Sequence, residues 1–222
     1  MATVMSVVDQ VTSGVASERE KAIRLHDFVR DNINFGFNRY FDAALPDYTL
    51  SCRAGHCNPK SRLMVALFRA AGVDAYQHFV VIPRDILQGV IPSNSWWIIP
   101  AELSHSFVEV KVEGMWCEID SFIVDTPLLK AAQAKLASER RTTGYGARID
   151  STNQWDGQHN AFSQLQREVM IEDHGRIDDL ESYFRSHKYR HKFLGVRFNT
   201  TFQLMGERMV SQFNKQIDQI RS

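Results

Sequence analysis

Three cysteines are present in the 222 residues, and one of them stands where a thiol could react. The stretch "RAGHCNPKSRLMVALFRAAGV" (Arg53–Val73) places Cys57 directly before Asn58 and Pro59. Asn58 reads as a helix N-cap and Pro59 as the first helical residue, positions each type favours. A helix N-terminus carries partial positive charge from unpaired amides, so it favours an anion. A thiolate there is expected to form below the pKa of a free cysteine, and the thiolate is the nucleophile. Cys52 has no such setting, and Cys117 alternates with Met115 and Ile119 as a core residue does.

A thiol nucleophile needs a base, and the base needs an orienting acceptor. His105 opens "HSFVEVKVEGMWCEIDSF", which has the alternation of a β-hairpin with its turn at Glu113-Gly114. With a two-residue turn, Val112 faces Met115, and Asp120 lies one diagonal step from His105 on the same face. The other face would carry Val108, Val110, Val112, Met115, Cys117 and Ile119, a plausible core face. A three-residue turn with a bulge would flip that relation, and Glu-Gly permits both.

These pieces resemble one family. "GHC" before a helix, then "HSFVEV", then "WCEID" is similar to the transglutaminase-like superfamily of papain-like cysteine enzymes. Its members typically carry Gly-x-Cys before a helix, His-x-Trp-x-Glu-Val on a strand and Trp-x-x-x-Asp on the next. The resemblance covers roughly residues 18 to 126. It implies Cys57 as nucleophile, His105 as general base and acid, and Asp120 as the orienting carboxylate. Phe107 replaces the usual Trp, and "DSF" replaces the commoner Asp-Pro-Thr. No side-chain oxyanion donor of the family is recognisable, which leaves the Cys57 backbone N–H for that task.

The elements that must hold these residues read as α+β. Ser17 followed by Glu18 and Glu20 starts a helix whose stripe would be Ile23, Phe28, Val29 and Ile33, closed by Gly36. "FGFNRYFDAALPDYTLSC" reads as a loop broken by Pro46. The helix after Asn58 buries Leu63, Met64, Leu67 and Phe68, and "VDAYQHFVVI" is a strand. "PLLKAAQAKLASER" and "DDLESYFRSHKY" are helical. Asn199-Thr200-Thr201 would cap a last helix with Phe202, Met205, Met209, Phe213, Ile217 and Ile220 on one face. The expectation is a single domain over 1–222: a papain-like, transglutaminase-like core (18–126) with its nucleophile helix on an antiparallel sheet, and a mainly helical extension (127–222).

Lys+Arg and Asp+Glu both total 26, so no global field favours nucleic acid or an anionic membrane. No basic leader precedes Asp9, no apolar run reaches a membrane span, and free thiols suit a reducing cytoplasm. A cytoplasmic protein without cofactor is expected, with a small-molecule or peptide acyl substrate. Nothing in the sequence sets its oligomeric state. His187 and His191 would share a helix face, but Lys188 stands where a metalloprotease pattern needs Glu. They read as a solvated face, and no metal is expected. Trp96 and Trp97 could form a substrate lip or a core segment. Residues 141–176 carry four glycines and no period, so with Tyr145 and Trp155 they read either as a substrate-binding cover beside Cys57 or as a structural loop.

The expected chemistry is cysteine-dependent acyl transfer to an amine, or hydrolysis, on an amide, ester or thioester. Two alternatives use the same fold: a Cys-His acid/base cyclase or lyase, and a non-catalytic binding module.

Overall fold

The computed structural model describes residues 2–222, with the side chain of Met209 outside that description. Helix α1 (Val4–Thr12) begins with a reciprocal cap between Thr3 and Ser6. Helix α2 (Glu18–Asn32) begins at Ser17, whose side chain accepts the Glu20 N–H as the sequence predicts. Its buried residues are Ala22, Leu25, His26, Val29 and Arg30; of the expected stripe Val29 and Ile33 are buried, and Ile23 and Phe28 partly so. It stops at Asn32 because Asn34–Phe35 (β1) pairs with Ala54–Gly55 (β2).

The segment between them is more ordered than the expected loop. A 3-10 turn spans Phe41–Ala43, and α3 spans Pro46–Cys52. Pro46 starts that helix rather than breaking structure, since the first turn needs no proline N–H. Helix α4 (Cys57–Ala70) buries Leu63, Met64, Leu67 and Phe68 as its spacing requires.

A four-stranded antiparallel sheet lies against α4. Strands β3 (Ala75–Pro83), β4 (Glu102–Val112) and β5 (Met115–Ile119) follow one another in the chain. The turn between β4 and β5 has Glu113 and Gly114 at φ 50 and 86, both left-handed, as a two-residue hairpin turn demands. Val112 therefore faces Met115 and Val108 faces Ile119, the register the sequence suggests. Val108, Val110, Val112, Cys117 and Ile119 are buried, whereas Met115 at the hairpin tip is exposed.

The remaining chain is helix α5 (Thr126–Glu139), the small pair β6 (Thr143–Gly144) and β7 (Ala147–Arg148), and strand β8 (Glu172–Arg176). Helix α6 (Leu180–Arg185), the hairpin β9 (Lys192–Phe193) and β10 (Val196–Arg197), and helix α7 (Phe198–Arg221) complete it. This half is less purely helical than expected, because β8 joins the main sheet, whose order is β5-β4-β3-β8. Helix α7 starts before the expected cap, since the Asn199 side chain accepts the Asp42 N–H instead. It changes direction at Gly206, whose φ of 72 is outside helical space. The fold is α+β, and its two halves interlock through β8 and through the bridge between Ile119 and Ala161.

Candidate active site

Cys57 is the first residue of α4, and its cap is His56 rather than Asn58. Asn58 moves inside the helix because its amide is drawn elsewhere: Nδ2 donates to Asp42 (2.8 Å) and to the Ser104 carbonyl (3.1 Å). The half-buried Cys57 thiol donates to Asn58 Oδ1 at 3.5 Å. His105 sits on β4, 1% exposed, and its Nε2 is 3.1 Å from Asp120 Oδ2. That bond leaves Nδ1 as the ring nitrogen available to a thiol proton.

Asp120 lies just past β5 and is fully buried. Its Oδ1 accepts the Ser163 N–H, the Gln164 N–H (3.1 Å) and the Ser163 hydroxyl (3.1 Å). Oδ2 accepts the Leu165 N–H at 2.7 Å. Three successive amides therefore hold the carboxylate, and they come from the segment that showed no sequence period.

Cys57 and His105 open onto one small cavity of about 40 Å³, together with His56, Gln164, His191 and apolar walls from Phe37, Phe41 and Leu103. A larger open groove lined by Arg62, Arg69, Asp178 and Glu181 carries no nucleophile.

The thiol runs opposite to the sequence expectation. Burial pushes the Cys57 thiol above its ordinary range, and the nearby Asp42 carboxylate adds to the rise. Backbone hydrogen bonds from Ser106 on β4 and from Asn58 at the helix start act downward, but they are outweighed. The protonated form of Cys57 is thereby favoured at rest.

Asp42 is the residue that sequence reasoning missed. Fully buried, it accepts from His56 Nε2 (2.6 Å) and Asn58 on Oδ1, and from His191 Nδ1 (2.6 Å) and the Tyr189 hydroxyl on Oδ2. Burial acts to raise its pKa, yet His191 and His56 hold it well below the usual carboxylate range. His56 is lowered by its own burial despite this partner, and among the described residues its Nδ1 is buried without one. An acid set among apolar residues, as in "YFDAAL", was the available signal.

His191 is therefore no solvated residue. It lies outside any helix, buried on Asp42 with its ring stacked on Phe198, while His187 is exposed. Among the described residues, no group of three or more His, Cys, Asp and Glu side chains is arranged to hold a metal ion.

The four aromatics expected near substrate do not reach the cavity. Trp96 stacks under Arg84 (4.7 Å) beside a separate cleft. Trp97 is 70% exposed and meets Phe193 edge-on. Tyr145 covers Gly89 and donates to Glu139. Trp155 is buried beside His26 and Phe68, with Nε1 donating to the His159 carbonyl. From residues 141–176 it is Gln164 that lines the cavity. Aromatic content marked these side chains as burying surface, but it carried no information on which surface.

No helix is long and apolar enough to cross a membrane, among the described residues. No curated protein matches the chain. Two solved structures resemble part of it. One is a candidate cysteine protease from Cytophaga hutchinsonii, at 16% identity and TM-score 0.40, covering 52% of this chain and 35% of that one. The other is a candidate protease from Parabacteroides distasonis, at 17% identity and TM-score 0.37, covering 52% and 22%. The matched region is thus well under half of either protein. The family model described as "Transglutaminase-like superfamily" matches residues 5–121, a span that contains Cys57, His105 and Asp120. The chain belongs to the transglutaminase-like superfamily.

Proposed function

We propose that the protein is a cysteine enzyme of acyl chemistry that forms a thioester on Cys57 from an amide, ester or thioester. One observation carries this reading: His105 is anchored to Asp120 through Nε2 and faces the same cavity as the Cys57 thiol. As Sγ attacks the carbonyl carbon, the thiol proton passes to His105 Nδ1. The Sγ–C bond forms, the bond from carbon to the leaving group breaks, and His105 returns the proton to the leaving group. An imidazolium formed in this step is stabilised by Asp120. The amide of Cys57, at the first position of α4, has no intrahelical acceptor and can take the oxyanion. Water or an amine then cleaves the thioester, with His105 as base.

Intact-mass measurement tests this after incubation with a panel of acyl esters and thioesters. The wild type should gain the acyl mass at Cys57, and Cys57→Ala should fold but gain nothing. Absence of an adduct with every donor, while iodoacetamide still labels Cys57, would reject the reading.

A further inference from the structure

We propose that the open groove between α4 and the start of α6 is a second binding site, for a small organic anion whose carboxylate or phosphate head meets Arg62. The groove holds about 550 Å³, against about 40 Å³ at Cys57. That is room for a small molecule. One wall is α4, where Arg62, Val65, Ala66 and Arg69 have the spacing of a single helix face. The two arginines stand about 10 Å apart along the axis, with apolar surface between them. The facing wall runs from Ile177 to Glu181, and its Leu180 adds to that surface. Arg62 follows Cys57 by five residues and so does not share its face of the helix.

Arg62 is the side chain that calls for a ligand. It is half-buried, and no carboxylate among the described residues lies within ion-pairing distance of it. Of its guanidinium nitrogens only Nη1 meets protein acceptors, the Ala43 and Ala44 carbonyls, and both contacts are long at 3.4 Å. Burial lowers its pKa, so the surroundings disfavour a bare cation.

The acids of the groove are engaged elsewhere. Asp179 accepts the Ser182 N–H at 3.0 Å, Glu181 lies 3.7 Å from Arg185, and Asp178 lies 3.9 Å from Arg69. Arg69 in turn donates through Nε to the Ala75 carbonyl at 2.7 Å. Asp178 and Glu181 are also 81 and 64% exposed, so water and salt weaken their repulsion of an anion. A carboxylate or phosphate on Arg62 would gain charge-assisted bonds from its planar fork. An inorganic anion would leave Val65, Ala66 and Leu180 uncovered, whereas an apolar body beside the head would bury them.

Isothermal titration calorimetry with hexyl phosphate and hexanoate tests this, against hexanol, inorganic phosphate and acetate. At least one of the two amphiphilic anions should bind roughly tenfold or more tighter than hexanol, which lacks the charge, and than its own head group, which lacks the body. The tighter of the two tells a phosphate ligand from a carboxylate. Arg62→Gln should abolish the preference over hexanol. If that variant does not fold, Ala66→Trp, which fills the groove from its floor, should lower affinity for the preferred anion by a similar factor. Hexanol binding as tightly as both anions, no binding of either anion, or affinity unchanged by these substitutions would each overturn the site.

Discussion

Replacing Asp120 by asparagine should damage the enzyme in two separable ways. The carboxylate accepts from His105 and Leu165 on Oδ2, and from Ser163 and Gln164 on Oδ1. An asparagine can keep its oxygen toward Ser163 and Gln164, which puts its NH₂ against Leu165 and His105. The Leu165 amide then loses its acceptor, which costs about 1–3 kcal/mol for a buried donor. Loss of the charge weakens the remaining bonds, so a total of about 2–4 kcal/mol is expected. At 222 residues this lowers Tm by roughly 5–15 °C. The chemical effect is larger. Facing an NH₂ group, His105 must accept at Nε2 and carry its proton on Nδ1, where it can no longer take the thiol proton. A wrong tautomer of this kind costs about 10⁴ in rate. Thermal unfolding and acyl-adduct formation, measured on the same preparation below its Tm, read the two losses independently. A variant with unchanged Tm and a rate within tenfold of wild type would refute both the amide cradle and the role of Asp120.

Three other outcomes follow from the same geometry. Because burial and Asp42 hold the Cys57 thiol above its ordinary range, iodoacetamide labelling of Cys57 should be slow near neutral pH and climb through the alkaline range; a plateau reached already in mild acid would indicate a preformed ion pair. Asp42→Asn removes that anion, so wherever the variant stays folded its Cys57 should label faster near neutral pH, although melting should fall because Asp42 has four buried donors; slower labelling would contradict the assigned cause. Lys60, buried and donating to the Ile33 and Ile123 carbonyls, has its pKa lowered by burial from 10.5 to about 7. The unfolded chain therefore binds the extra proton between those values, and stability should rise with pH across that window. Urea unfolding should show that slope in the wild type and a flatter one in Lys60→Met; identical slopes would remove Lys60 as its source.

Local rules carried the β4–β5 hairpin and helix α4. Glu113-Gly114 suits a turn with two left-handed residues, and that turn alone sets Val112 against Met115 and brings Asp120 to His105. The spacing of Leu63, Met64, Leu67 and Phe68 likewise set the buried face of α4. What stayed hidden depends on partners far away in the chain. Asn58 was a good local cap, yet Asp42 recruits it into the helix. Residues 163–165 have no period because their amides serve a carboxylate instead of a ladder. His191 looked exposed because its burial is decided by Asp42, and the Cys57 thiol looked acidic because the helix start was visible while its burial and carboxylate neighbours were not.

The distance along the chain between each buried carboxylate and its closing partners also sets a schedule. Leu165 follows Asp120 by 45 residues, and His191 follows Asp42 by 149. With synthesis at about 5–20 residues per second, the Asp120 cradle emerges roughly 2–9 s after Asp120, and His191 roughly 7–30 s after Asp42. Until then the nascent chain already holds Cys57 and His105 but lacks the Asp120 cradle and the Tyr189 and His191 side of Asp42. Cys57 and His105 are thus translated well before the segments that close the two buried carboxylates.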